Sequence, residues 1–198
     1  MFRSVVLTAT IFVLSGCVSV LPTPETPEGL YTIDVRDAPK VALDEVVLVR
    51  EPEALRLFAG RNVVSIQDDG GARIVPGVRW GDSATRLMEL GLLDLLDGEN
   101  GAPAVSQRSG STATYELAWR IADLTVNGAE ARVDLDLTLL DARTRDPLAQ
   151  TVLSRRATVS GDSGQRKIAA LQNAAQSALI AASEFTASAV RDASLATD

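Results

Sequence analysis

The sequence predicts an α+β fold: an antiparallel β-sheet covered on one face by two helices. Three observations predict it. Residues 115–122 and 131–139 alternate apolar with polar side chains on either side of Asn127-Gly128, the period of half-buried strands joined by a hairpin turn. Residues 83–96 carry apolar side chains at helical spacing, and so do residues 168–189. Strands in a run, with helices set apart from them, fit an α+β arrangement.

The chain opens with one positive charge, Arg3, then an apolar stretch from Val5 to Leu14, then Leu14-Ser15-Gly16-Cys17. A short basic start, a short apolar run and small residues form a secretory signal, expected over residues 1–16. The run is too short for a bilayer, where a helix needs about 20 apolar residues. Cys17 is the only cysteine. Leu-Ser-Gly-Cys resembles the lipobox of bacterial lipoproteins, and that resemblance implies acylation of Cys17 and cleavage before it. Residues 17–29 then form a tether. Pro22, Pro24 and Pro27 favour an extended chain at about 3.1 Å per residue, a reach on the order of 30 Å.

A single α+β domain is expected over residues 30–198, starting at Leu30-Tyr31-Thr32-Ile33. Val46 to Val49 is rich in β-branched residues and reads as a buried strand stopped by Pro52. Arg61 to Gln67 reads as a second strand, Asp68-Asp69-Gly70-Gly71 as a turn, and Ala72 to Val75 as a short third strand. Asp82 reads as the N-cap of a helix from Ser83 to about Leu96, ended by Gly98. Ala84, Leu87, Met88, Leu92 and Leu95 form its apolar stripe. Leu90, Leu93 and Leu96 fall outside that stripe, so this helix is either covered on two sides or open to a partner. Ala104 to Gln107 reads as a short strand. The hairpin follows, its strands dry on one face and wet on the other. Asp141 to Pro147 is a turn, and Leu148 to Val159 a third long strand. In the last helix Ile168, Leu171, Ala175, Ala178, Leu179, Ala182, Phe185 and Ala189 form the apolar face.

Composition narrows the function classes. The 198 residues are 46% hydrophobic and 23% charged, with a formal net charge of −7. An acidic domain has no electrostatic reason to bind nucleic acid. There is no histidine, which removes the commonest general base and imidazole metal ligands. With Cys17 committed to lipid, no thiol remains for catalysis or zinc. No enzyme activity, cofactor or metal site is expected. Asp134 and Asp136 stand two apart on one strand face beside Arg132, and read as a solvated face rather than an acid–base pair. The glycine pairs lack phosphate-loop spacing.

Several stretches together resemble one family. The lipobox precedes a proline-rich spacer and Leu30-Tyr31-Thr32-Ile33. Val46-Val47-Leu48-Val49 precedes Arg50-Glu51-Pro52. Val78-Arg79-Trp80-Gly81-Asp82 opens the first helix, departing from the family's Arg-Trp-Ala signature at Gly81. Tyr115-Glu116-Leu117 opens the hairpin, Leu140-Asp141-Ala142-Arg143-Thr144 forms its far turn, and an alanine-rich helix closes the chain. In this order they resemble the ABC-type transport auxiliary lipoproteins, partners of MCE-type lipid transport systems such as the paraquat-inducible and Mla-like machines. The resemblance implies a non-catalytic component, lipid-anchored at the periplasmic face of the outer membrane. It would dock to the MCE substrate-binding subunit, with a phospholipid or sterol-like molecule as the ligand handled. Val18, rather than Asp, after Cys17 implies the outer membrane under the sorting rule of enteric bacteria. An alternative stays open: a lipoprotein that assembles or activates another envelope machine.

Arg79 and Trp80 are the candidate partner-binding pair, since Trp and Arg are enriched in binding hot spots. The competing reading makes Trp80 a core plug with Arg79 solvated. Trp119 and Tyr115 lie on the apolar strand face and read as core. A groove between the two helices and the sheet, lined by Leu90, Leu93 and Phe185, is conceivable alongside a closed core.

Overall fold

The structure, a computed structural model, describes residues 29–196. The signal segment 1–16, Cys17 and the tether up to residue 28 lie outside the described residues.

The longest strand organises the sheet. β7 (Tyr115–Asn127) pairs along its whole length with antiparallel β8 (Glu130–Asp141), which pairs in turn with antiparallel β9 (Pro147–Thr158). Along its other edge β7 takes three short strands in succession, all parallel to it. β2 (Val47–Val49) sits at its start, with Val47 opposite Tyr115. β3 (Glu53–Ala54) follows, with Glu53 opposite Arg120. β4 (Asn62–Ile66) sits at its end, with Val64 opposite Thr125. β6 (Ala104–Ser106) extends β2 in parallel. β5 (Ala72–Trp80) pairs antiparallel with β4, and β1 (Gly29–Tyr31) pairs parallel with β5.

The α+β class therefore holds, and the purely antiparallel sheet is corrected to a mixed one. The expected hairpin is antiparallel because a two-residue turn joins its strands. β2, β3 and β4 reach β7 through crossovers instead, which permits parallel pairing. The helix count is corrected too. A short helix α1 (Arg56–Ala59) joins α2 (Ala84–Leu95) and α3 (Gly164–Leu195). α3 lies across β5, β7, β8 and β9, while α2 packs against α3 and β6.

Local chemistry explains the elements. Glu130 faces Asn127, so the hairpin loop is Gly128-Ala129. Gly128 has φ 54°, and Ala129 is not among the positive-φ residues, the sign pattern of a type II′ turn. Within β7 the buried residues switch phase, from Tyr115, Leu117, Trp119 and Ile121 to Leu124 and Val126. A bulge between Ile121 and Asp123 absorbs one residue and keeps both sets on the core face.

β5 runs five residues past its expected end, from Val75 to Trp80. Pro76-Gly77, just past that expected end, forms a bulge opposite β4, where the register shifts between Asn62 and Val64. Gly77 has φ 74°, which suits glycine, and a proline at a bulge gives up no ladder bond. The N-cap of α2 is Ser83 rather than Asp82. Ser83 Oγ accepts from the Arg86 N–H at 3.3 Å, and Asp82 Oδ1 accepts from the Ser83 N–H at 2.6 Å, one residue early. α3 starts in the same manner, with Ser163 Oγ accepting from the Arg166 N–H at 3.3 Å.

The core is continuous and lies between the sheet and the two long helices. All five stripe residues of α2 are buried, as is Leu96, while Leu93 is half-buried and Leu90 exposed. The alanines of α3 are buried from Ala170 to Ala189, which lets its backbone approach the sheet. At Gly91, where α2 meets α3, a Cβ would lie 2.8 Å from Leu179 Cδ1.

Candidate functional site

Three features stand out on this scaffold. The first is a cleft of about 630 Å³ at the C-terminal end of α3. Its apolar wall is Tyr115 from β7, Leu148 and Ala149 from β9, and Phe185, Ala189 and Ala193 from α3. The register shift where Leu139 faces Ala149 and Leu140 faces Pro147 leaves Leu148 outside the regular pairing, 44% exposed. The Tyr115 hydroxyl stands 3.4 Å from Ser194 Oγ. Two carboxylates, Asp141 and Asp192, stand at the rim. Asp141 Oδ1 accepts the N–H of Thr144 at 2.7 Å and of Arg143 at 2.8 Å. These bonds, that from Thr144 foremost, hold its carboxyl below the ordinary aspartate range.

The second feature is a polar network where α2 meets the segments after β2 and β6. Glu89 is buried on α2, yet it takes the Ser106 hydroxyl at 2.6 Å and Arg86 Nη1 at 2.5 Å. One turn earlier, Thr85 Oγ1 donates to Glu51 Oε1 at 2.8 Å, and Arg108 Nη2 reaches Glu51 Oε2 at 2.5 Å. Every carboxylate here has donors, as buried charges require.

The third is Glu116 on β7, 8% exposed at its side chain and paired with both Arg50 and Arg145. One acid thus ties the exit of β2 to the β8–β9 turn. Among the described residues no group of three or more His, Cys, Asp or Glu is placed to hold a metal ion.

The candidate pair is split by the structure. Trp80 is 0% exposed, so the partner-facing reading of its indole is corrected: it is a core plug. Its Nε1 has no hydrogen-bond partner in that core. Strand alternation puts Val78 and Trp80 inward, with Arg79 half-buried between them. Asp134 and Asp136 lie on the outer sheet face as expected. Arg132 Nη2 reaches Asp134 Oδ2 at 2.5 Å, and Arg120 pairs with Asp136. Burial works against the Asp134 charge, but Arg132 and the Ser154 hydroxyl outweigh it and lower its pKa. The conceived groove is not one site. Leu90 lines a shallow pocket with Val35 and Gly91, whereas Phe185 belongs to the α3 cleft.

The model of the ABC-type transport auxiliary lipoprotein component family matches residues 30–181. The chain belongs to that family. A crystal structure of a Xanthomonas campestris protein of the family DUF330 is similar to this auxiliary lipoprotein, with a TM-score of 0.75 at 19% identity over 84% of this chain and 99% of that one. A hypothetical protein of Chlamydia trachomatis gives a TM-score of 0.51 at 9% identity, over 74% of this chain and 98% of that one. Both likenesses concern the fold. No curated protein sequence matches the chain. None of the described helices of the auxiliary lipoprotein is long and apolar enough to cross a membrane.

The cleft was missed by sequence reasoning. Phe185, Ala189 and Ala193 are spaced four apart at the end of α3, and Leu148 opens a strand. Those were the available signals, but only the fold brings them beside Tyr115.

Proposed function

We propose that this auxiliary lipoprotein is held by acyl chains on Cys17 at the periplasmic face of the outer membrane. There it docks the MCE subunit of an ABC-type lipid transporter and performs no chemistry of its own. The family match over residues 30–181 carries the reading, because it begins directly behind the lipobox and its proline-rich spacer. A net charge of −7 supports acyl anchoring, since anionic membranes repel such a domain. One chain anchors weakly at about 0.8 kcal/mol per buried methylene, so stable attachment needs the several chains of a processed lipoprotein. The Glu51 and Glu89 carboxylates are held by donors of the same chain, which fits a rigid adaptor.

Affinity purification of the full chain from cross-linked membranes tests the reading. Recovery of an MCE subunit and its permease, abolished by Cys17→Ala together with loss from the outer-membrane fraction, is the expected result. An unmodified Cys17 thiol by mass spectrometry, or recovery without any transporter subunit, overturns it.

A further inference from the structure

We infer that the cleft at the C-terminal end of α3 is a binding site for one amphiphile with an apolar chain and a cationic amine head. The inference rests on the docking reading only for its biological setting; the chemistry comes from the cleft itself. Its volume, about 630 Å³, falls within the roughly 300–1,000 Å³ of single-ligand pockets. Phe185, Leu148, Ala149 and Ala189 offer apolar surface along its length.

Three negative features converge on the rim. Asp141 is held ionised by backbone N–H groups. The Asp192 carboxylate is exposed and has no partner among the described residues. The carbonyl end of α3, a 32-residue helix, finishes at Leu195, where its dipole is negative. An anionic head meets repulsion from all three. An ammonium meets two carboxylates and the negative end of the helix dipole.

The position is also suited to exchange with a partner. Gly29 enters beside Val78, and Gly164 at the start of α3 lies against Pro76 and Val78. The cleft opens at the other end of α3, about 35–40 Å further along its axis. The cleft therefore lies at the end of α3 remote from Gly29.

The test uses residues 29–198, which hold every described core residue from Ile33 to Val190. Decylammonium and decanoate, matched in chain length, are titrated while alanine methyl shifts are followed by NMR. Decylammonium is expected to bind more tightly by about tenfold or more, with shifts at Ala149, Ala189 and Ala193. Asp192→Asn narrows the preference, and Ser188→Trp, at an exposed position on the cleft wall, blocks both probes. Equal affinities, shifts away from the cleft, or binding unaffected by Ser188→Trp overturn the inference. So does binding of a basic amphipathic peptide with neither small probe. Transporter recovery from membranes is scored separately. Lost recovery with retained decylammonium selectivity removes the docking role alone, and the reverse pattern removes the ligand alone.

Discussion

Trp119 donates its indole N–H to the carbonyl oxygen of Arg50 at 2.6 Å. The bond fastens the chain leaving β2 to the middle of β7, just before β3 resumes parallel pairing. Arg50 N in turn donates to Leu117 O at 3.2 Å. Trp119 is 4% exposed, so its ring fills core while its polar atom closes a loop carbonyl. Replacing it with Phe keeps most of the apolar area and leaves that carbonyl short of a donor. Trp119→Phe is expected to cost about 1–2 kcal/mol in urea unfolding with an unchanged m-value. No loss would mean that water replaces the bond.

Gly98 shows a different constraint. Its N–H donates to Val41 O at 3.2 Å, and a Cβ there would run into the backbone of Val41 and Ala42. Backbone cannot swing aside as a side-chain tip can. Gly98→Ala should cost about 3 kcal/mol, while Gly91→Ala, facing only the tip of Leu179, should cost far less because helix propensity returns about 1 kcal/mol. Thermal melts of the two variants side by side decide it.

What was legible in the chain follows from range. The β7–β8 hairpin was readable because its turn and both its alternating faces lie within one stretch. The stripes of α2 and α3 were readable because helical spacing is local. The parallel contacts of β2, β3 and β4 with β7 were not. Short β-branched runs announce burial but not a neighbour, and the neighbour here lies some sixty residues on, as with Val64 and Thr125. Pro76-Gly77 has the same composition whether it ends a strand or bulges one. Trp80 was readable as a core plug or as a partner-facing anchor; the core-plug reading holds, and the bulge sets the direction that decides it. The cleft draws on residues 115, 148 and 185, and no window contains all three.

Acid should weaken the fold in a defined window. Arg36 holds the Asp34 carboxyl down at about 2, chiefly through its side-chain bond. Asp134 and Asp141 are likewise below the ordinary value of 3.8. A carboxylate with a depressed folded pKa stabilises the fold fully above its unfolded pKa. That contribution is lost as pH falls through the folded value. Stability should therefore hold from about pH 7 to pH 5 and fall below about pH 4. Asp134→Asn should flatten the fall between about pH 4 and pH 2. An identical pH profile for the variant would show that Arg132 and Ser154 contribute nothing to the acid transition.

Glu89 gives the sharpest energetic test. It is 1% exposed in the middle of α2, and Arg86 is 24% exposed at its side chain. Removing the acid alone strands the Ser106 hydroxyl and a partly buried guanidinium. Breaking a buried pair from one side typically costs about 3–5 kcal/mol, and the water that reaches Arg86 reduces this. Glu89→Ala is expected to lose about 2–3 kcal/mol. Glu89→Leu combined with Arg86→Met removes both charges, so the pair's desolvation no longer opposes folding. That double variant should fall within about 1 kcal/mol of the parent. Urea unfolding of Glu89→Leu, Arg86→Met and their combination closes a double-mutant cycle, with Glu89→Ala measured beside it. If the double variant is as unstable as Glu89→Ala, the stabilising element is the Ser106 bond. In that case Ser106→Ala alone should reproduce most of the loss.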